Sequence, residues 1–148
     1  MKRREILLGI ATAFGWLPQI CAAQAKTSVT IPLSRLAEPW SSVEFTYPAA
    51  EPVPGIIVRL RDGTLYAASR ICPHQSCQLL YKTDKQEISD TFEVETGNPV
   101  LACPCHFSVF DLAQKGKVLN GPAPRGPVTF ELKVAGDRVT VLKMEGER

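Results

Sequence analysis

Two short boxes, Cys72-Pro73-His74-Gln75-Ser76-Cys77 and Cys103-Pro104-Cys105-His106-Phe107-Ser108, constrain this chain more than any other feature. They hold four of its five cysteines and both of its histidines. Such boxes need a fold that brings two loops face to face over a rigid base. Each box offers one thiolate and one imidazole, with Cys72 and His74 two apart and Cys103 and His106 three apart. A turn of that length aims both side chains at one metal-sized point, so two facing turns give a Cys₂His₂ site. Cys77 and Cys105 are then left over; paired with each other, they would tie the loops together above the site. Structural zinc is the competing occupant, because Cys₂His₂ suits a tetrahedral ion, and a zinc-stabilised secreted binding module is the matching alternative function. Zinc fingers, however, pair Cys with Cys and His with His, whereas each box here mixes the two.

The remaining sequence reads as a β scaffold. Ser28–Leu33 and Val43–Tyr47 alternate polar and apolar residues, and Pro48 ends the second run. The proline-rich stretch Ala49–Gly55 is expected to be a loop. Ile56–Leu60 and Leu65–Ile71 flank Asp62-Gly63, a pair suited to a positive-φ hairpin turn, and so deliver Cys72 to a strand end. Leu79–Pro99 is charged, polar and weakly periodic; it has room for a short helix, but is read only as a surface excursion. Val100–Ala102 feeds the second box, Ser108–Leu112 leads out of it, and Lys117–Leu119 returns after a turn at Gln114–Gly116. Gly121-Pro122-Ala123-Pro124 is a stiff loop, and Val128–Val134 with Arg138–Lys143 form a last hairpin. Short strands, frequent turn residues and no long 3.6-residue period beyond residue 25 predict an all-β antiparallel sandwich or barrel. The length of 148 residues allows one such domain, residues 26–148, with the metal-binding part near 72–125.

The first 25 residues follow an export pattern. Met1–Glu5 is basic, Ile6–Leu17 is apolar, and Ala23-Gln24-Ala25 is a small-x-small cleavage site. Arg3-Arg4 ahead of the apolar run resembles a twin-arginine signal, the route for proteins exported already folded, and implies a periplasmic location. Pro18 and Gln19 interrupt the run, which favours cleavage over retention of 6–25 as a membrane anchor. Cys21 leaves with the signal. Without Lys2, Arg3, Arg4 and Glu5 the body carries 14 basic and 14 acidic residues. A neutral body with no basic stripe gives no sign of nucleic-acid binding.

Cys-x-His-x-x-Cys followed by Cys-x-Cys-His-x-Ser resembles the Rieske family, in its disulfide-containing high-potential branch, over about Val43 to Val141. The resemblance implies a [2Fe–2S] cluster, with Cys72 and Cys103 on one iron and His74 and His106 on the other. It also implies a Cys77–Cys105 disulfide and a small cluster-binding subdomain at one end of a β-rich base. Neutral imidazoles in place of thiolates leave the oxidised centre less negative, so the added electron is held more favourably; such centres span about −150 to +300 mV. Ser108 stands where the family's serine donates to a bridging sulfide. Phe110 stands where many quinol-oxidising members carry a tyrosine that donates to a ligand sulfur, so a mid-range potential is expected. Pro122 and Pro124 lie in a loop similar to the family's proline loop, which covers the third side of the cluster. Oxidised iron acidifies its imidazole ligands, so reduction is expected to couple to protonation at high pH.

Two subtypes fit. Cys103–Asp111, with Glu38-Pro39 and Phe45–Pro48 upstream, resembles the small subunit of arsenite oxidase, whose partner is a large molybdenum subunit. Gly121–Pro124 is similar to the iron–sulfur subunit of cytochrome bc and b6f complexes, whose partner is a cytochrome b. Either resemblance implies a one-electron transfer subunit, not a catalyst on its own, that passes electrons to a c-type cytochrome or similar acceptor.

Overall fold

The structure is a computed structural model that describes residues 28–147. The export segment and the expected cut after Ala25 lie outside the described residues. No helix among the described residues is long and apolar enough to cross a membrane.

Among the described residues, ten strands, one short α-helix and one 3-10 helix (Leu33–Leu36) stack in layers. The outermost sheet joins β1 (Val29–Pro32), β10 (Arg138–Met144) and β9 (Phe130–Ala135), in the order β1-β10-β9. The middle sheet runs β2 (Ser42–Tyr47), β3 (Val53–Arg59), β4 (Leu65–Ser69). The third holds β5 (Leu80–Lys82), β6 (Val100–Ala102), β7 (Val109–Asp111) and β8 (Lys117–Asn120), also in sequence order. Every pairing is antiparallel. The all-β antiparallel expectation is therefore correct, with a single bridge, Ala68 to Thr129, linking the middle sheet to the approach of β9.

The middle sheet is buried on both faces, and its sequence explains why. Ile56, Ile57 and Val58 form an unbroken apolar run in β3, and all three are fully buried. Ile57, with Val43 and Ala67, faces Phe130, Val139 and Val141 of the outermost sheet. Ile56 and Val58, with Tyr66 and Ala68, face the other way and pack with Leu79, Leu101, Phe110 and Leu112. The third sheet is sandwiched in turn. Leu101 and Phe110 point to the middle sheet, whereas Val100, Ala102 and Val109 pack against Ile88 and Phe92 of α1 (Lys85–Phe92).

Two segments differ from the sequence reading. Residues 53–55 belong to β3 and not to a loop. Gly55 pairs with Phe45, whose ring occupies the space of a glycine side chain, with ring carbons 2.4–2.8 Å from where a Cβ would stand. Pro54, which has no N–H to give, uses its carbonyl to accept from the Arg70 amide at 2.8 Å. Residues 79–99 are more than an excursion: they supply β5 and α1. The helix starts at Asp84, whose carboxylate accepts from the Glu87 amide at 2.9 Å, and ends at left-handed Glu93. Its buried Ile88 and Phe92 stand four apart and cover the outer face of the third sheet.

Candidate metal centre

Both boxes fold into the same six-residue turn. In the first, the Cys72 amide donates to the Cys77 carbonyl at 2.8 Å and the Ser76 amide to the Cys72 carbonyl at 3.0 Å. In the second, the Cys103 amide donates to the Ser108 carbonyl at 2.8 Å and the Phe107 amide to the Cys103 carbonyl at 3.1 Å. The fifth residue of each is left-handed, Ser76 at φ 56° and Phe107 at φ 57°. Cys-Pro opens both turns, but the other functional side chains occupy different slots. His74 is third and His106 fourth; Cys105 is third and Cys77 sixth.

The scaffold fixes both turns at their roots. β6 and β7 pair directly below the second turn, with Ala102 opposite Val109. Below the first, Ile71 bridges Gln78 and the Leu79 amide donates to the Arg70 carbonyl at 2.8 Å. The Arg70 side chain closes the same base, donating through Nε to the Leu79 carbonyl at 2.9 Å and pairing with Glu44 at 2.5 Å. Across the top, Cys77 and Cys105 form a disulfide, with Cα atoms 6.5 Å apart.

That bridge leaves two thiols and two imidazoles, and the fold brings them together. Cys72 and Cys103 are free and buried. The Cys103 sulfur lies within 4.8 Å of both bridged sulfurs, yet the bridged pair has no thiolate to give a metal, so that trio is not a ligand set. The His74 and His106 rings meet edge to face with centroids 4.8 Å apart. His74 is half-buried and His106 is exposed. His74 Nδ1 is buried without a hydrogen-bond partner among the described residues, a cost of roughly 1–3 kcal/mol that a bond to a metal removes. Burial pushes the Cys72 thiol above its ordinary range; amides of His74 and Gln75 pull it back, and the adjacent Cys103 thiol adds to the rise. A bound metal overrides that balance, because a ligating thiol gives up its proton outright. Two thiolates beside two imidazoles is the donor set of an iron–sulfur centre with Cys on one iron and His on the other.

Ser108 is fully buried at the end of the second turn, where its carbonyl accepts from the Cys103 amide. Its Oγ accepts from the Ala123 amide at 3.1 Å, which leaves the hydroxyl proton free to donate. Gly121, at φ 89°, lies so close that a Cβ would stand 2.4 Å from the Ser108 Cα. The loop therefore touches the site through Gly121 and buried Ala123, while Pro122 and Pro124 face solvent. Phe110 is fully buried in the same apolar cluster as Cys72 and Cys103. Sequence reasoning passed over Phe107, an aromatic that is 48% exposed in a left-handed conformation. It also passed over Phe92, whose ring meets that of Phe107 at 6.0 Å. The available signal was the apolar pair Ile88 and Phe92, at helical spacing inside a polar stretch.

Comparison with known proteins gives relatives for the arrangement. The chain is 29% identical over 86 residues to the cytochrome b6-f complex iron-sulfur subunit of Chlorobaculum tepidum, covering 58% of this chain and 39% of that protein. It is 34% identical over 73 residues to the cytochrome bc1 complex Rieske iron-sulfur subunit of Corynebacterium diphtheriae, covering 47% and 15%. The chain thus spans well under half the length of these relatives. Among solved structures, the soluble domain of Rieske protein II from Sulfolobus acidocaldarius matches with a TM-score of 0.53 at 21% identity, over 70% of this chain and 67% of that one. The quaternary ammonium Rieske monooxygenase CntA matches at 0.57 and 21%, over 84% and 34%. At such identities the likeness concerns the fold. The family model described as "Rieske [2Fe-2S] domain" matches residues 44–140, more than half of the chain and both turns. This chain belongs to the Rieske family, and its cofactor is a [2Fe–2S] cluster.

Proposed function

We propose that this protein is the one-electron transfer subunit of a larger oxidoreductase, exported to the periplasm by the twin-arginine route. Cys72 and Cys103 hold one iron; His74 and His106 hold the other. The observation that carries the reading is the matched pair of turns: one disulfide consumes the two surplus cysteines, leaving two buried thiols beside two touching imidazoles. When bound, the cluster takes up and returns one electron. The chain does the rest. Leu79, Leu101, Phe110 and Leu112 keep water from the sulfur side, the Ser108 hydroxyl proton is available to a sulfur acceptor, and exposed His106 is the point of contact with a redox partner.

The partner complex has two readings. The run Cys103–Asp111 supports an arsenite-oxidase-like complex with a molybdenum subunit. The named relatives support a cytochrome bc-type complex with a cytochrome b. Iron and acid-labile sulfide analysis, with electron paramagnetic resonance of the dithionite-reduced protein, tests the centre. Two irons and two sulfides per chain with a rhombic low-temperature signal are expected, and a colourless zinc protein refutes the proposal. Co-purification from the native membrane or periplasm decides the partner.

A further inference from the structure

Acidic side chains are concentrated on the segment beside the exposed histidine. Residues 83–98 carry Asp84, Glu87, Asp90, Glu93 and Glu95 against Lys85, and all six are exposed. The rest of 26–148 holds nine acidic and 13 basic residues. The neutral body is therefore strongly polarised, with its negative end on α1 and the irregular segment that follows it.

The same segment forms one wall of a cleft of about 160 Å³, lined by Thr91, Phe92, Glu93, Phe107 and Asn120. Phe107 is next in sequence to His106 and holds its exposed ring against Phe92 at 6.0 Å. It does so at φ 57°, a conformation that costs a bulky side chain free energy and that glycine would adopt without strain. The left-handed fifth position belongs to both turns, since Ser76 shares it, so what sets this one apart is the exposed aromatic ring that fills it. Three features of the cleft favour a cation. The Phe107 ring offers a face to positive charge. α1 ends at the cleft and presents its carbonyl pole; in its last turn the Ser89 carbonyl accepts from the Glu93 amide at 3.0 Å and the Phe92 carbonyl from Asn120 Nδ2 at 3.2 Å. The Glu93 carboxylate makes no ion pair among the described residues, whereas Glu87 is held by Lys82.

We infer that this cleft is the docking point for a basic redox protein, which seats a lysine or arginine between Phe107 and Glu93 and thereby brings its own centre next to His106. The inference rests on the electron-transfer reading above and adds the chemistry of the partner. The acidic segment steers the encounter over distance, and the cleft fixes its register.

The test uses the full-length holoprotein and two probes: a lysine-rich c-type cytochrome and an acidic blue-copper protein. Affinity is measured by titration calorimetry at about 0.01 M and about 0.15 M ionic strength, where the screening length drops from ~30 to ~8 Å. The basic probe is expected to bind, more weakly at the higher salt, and the acidic probe is not. Glu93→Lys should weaken the basic probe roughly five-fold at low salt, without altering the visible spectrum or the midpoint potential. Phe107→Gly should weaken it at both salts. Glu131→Lys, the same charge change on the outermost sheet, should leave affinity within about two-fold. Equal losses for Glu93→Lys and Glu131→Lys would reduce the effect to net charge and overturn the inference, as would preference for the acidic probe. A protein that lacks the cluster yet binds the basic probe in this pattern would refute the carrier reading while the docking site stands.

Discussion

Replacing Gly121 by alanine tests the link between the covering loop and the site. The added Cβ would stand 2.4 Å from Ser108 Cα, 2.6 Å from its nitrogen and 2.7 Å from its Oγ. Two of these atoms are backbone, so no flexible side-chain end can swing away. Overpacking of this kind costs about 1–3 kcal/mol, and a left-handed alanine adds about 1 kcal/mol. Together they amount to roughly 2–4 kcal/mol, or a fall in Tm on the order of 10 °C for a domain of this size. The displacement also breaks the 3.1 Å bond from the Ala123 amide and turns away the Ser108 hydroxyl, which on the proposed reading donates to a cluster sulfur. A donor to the sulfurs stabilises the more negative, reduced state, so its loss lowers the potential. A hydrogen bond to a charged group contributes about 1.5–3 kcal/mol, and about 1.4 kcal/mol corresponds to 59 mV for one electron. A fall of roughly 60 mV or more is expected in protein-film voltammetry of the holoprotein, with Tm read by circular dichroism. Ser108→Ala should lower the potential similarly with a smaller change in Tm. Gly97, with nothing within 4 Å of its would-be Cβ, is the control and should tolerate alanine. A Gly121→Ala protein with wild-type Tm and wild-type potential would refute the reasoning.

Other expectations follow from the same geometry. Replacing both Cys77 and Cys105 by serine opens a link spanning 28 residues and should cost about 3.5 kcal/mol in denaturant unfolding, with faster loss of visible absorbance. Phe110→Tyr should raise the midpoint potential by placing a hydroxyl among Cys72 and Cys103, and an unchanged or lowered value counts against the assigned position. Burial pushes the hydroxyls of Tyr66 and Tyr81 up to about 12. Unfolded tyrosine sheds its proton from about pH 10 while these remain neutral, so stability is intact below pH 10 and lost across about pH 10 to 12. Tyr66 Oη is buried with no partner among the described residues, so Tyr66→Phe should be neutral or stabilising at pH 7 and should flatten that alkaline loss in urea melts.

The β-rich architecture and the site's residue types were legible because they rest on local signals. Alternation marked most strands, Asp62-Gly63 marked a hairpin, and cysteine with histidine in paired boxes marked the centre. The first strand of the middle sheet's central hairpin was placed too late because Pro54 and Gly55 usually break strands. What makes them acceptable is the Phe45 ring over Gly55 and the Arg70 amide on the Pro54 carbonyl, and both are tertiary. The 79–99 segment is only partly legible for a related reason. Its apolar residues are sparse, and the demand for a cover lies in Val100-Leu101-Ala102, whose lack of alternation means burial on both faces. The left-handed residues Ser76 and Phe107 carry no glycine or asparagine to announce them, so the equivalence of the two turns is hidden by their side chains.

The unequal exposure of the two imidazoles has a kinetic meaning. His74 is half sheltered, Ser108 lies under the Gly121 loop, and both thiols are walled in, so His106 alone opens broadly to solvent. On the proposed carrier role, a single open ligand would serve giver and receiver in turn and not together. Under that role each turnover would include a departure, and an excess of either protein would slow traffic by occupying the threshold.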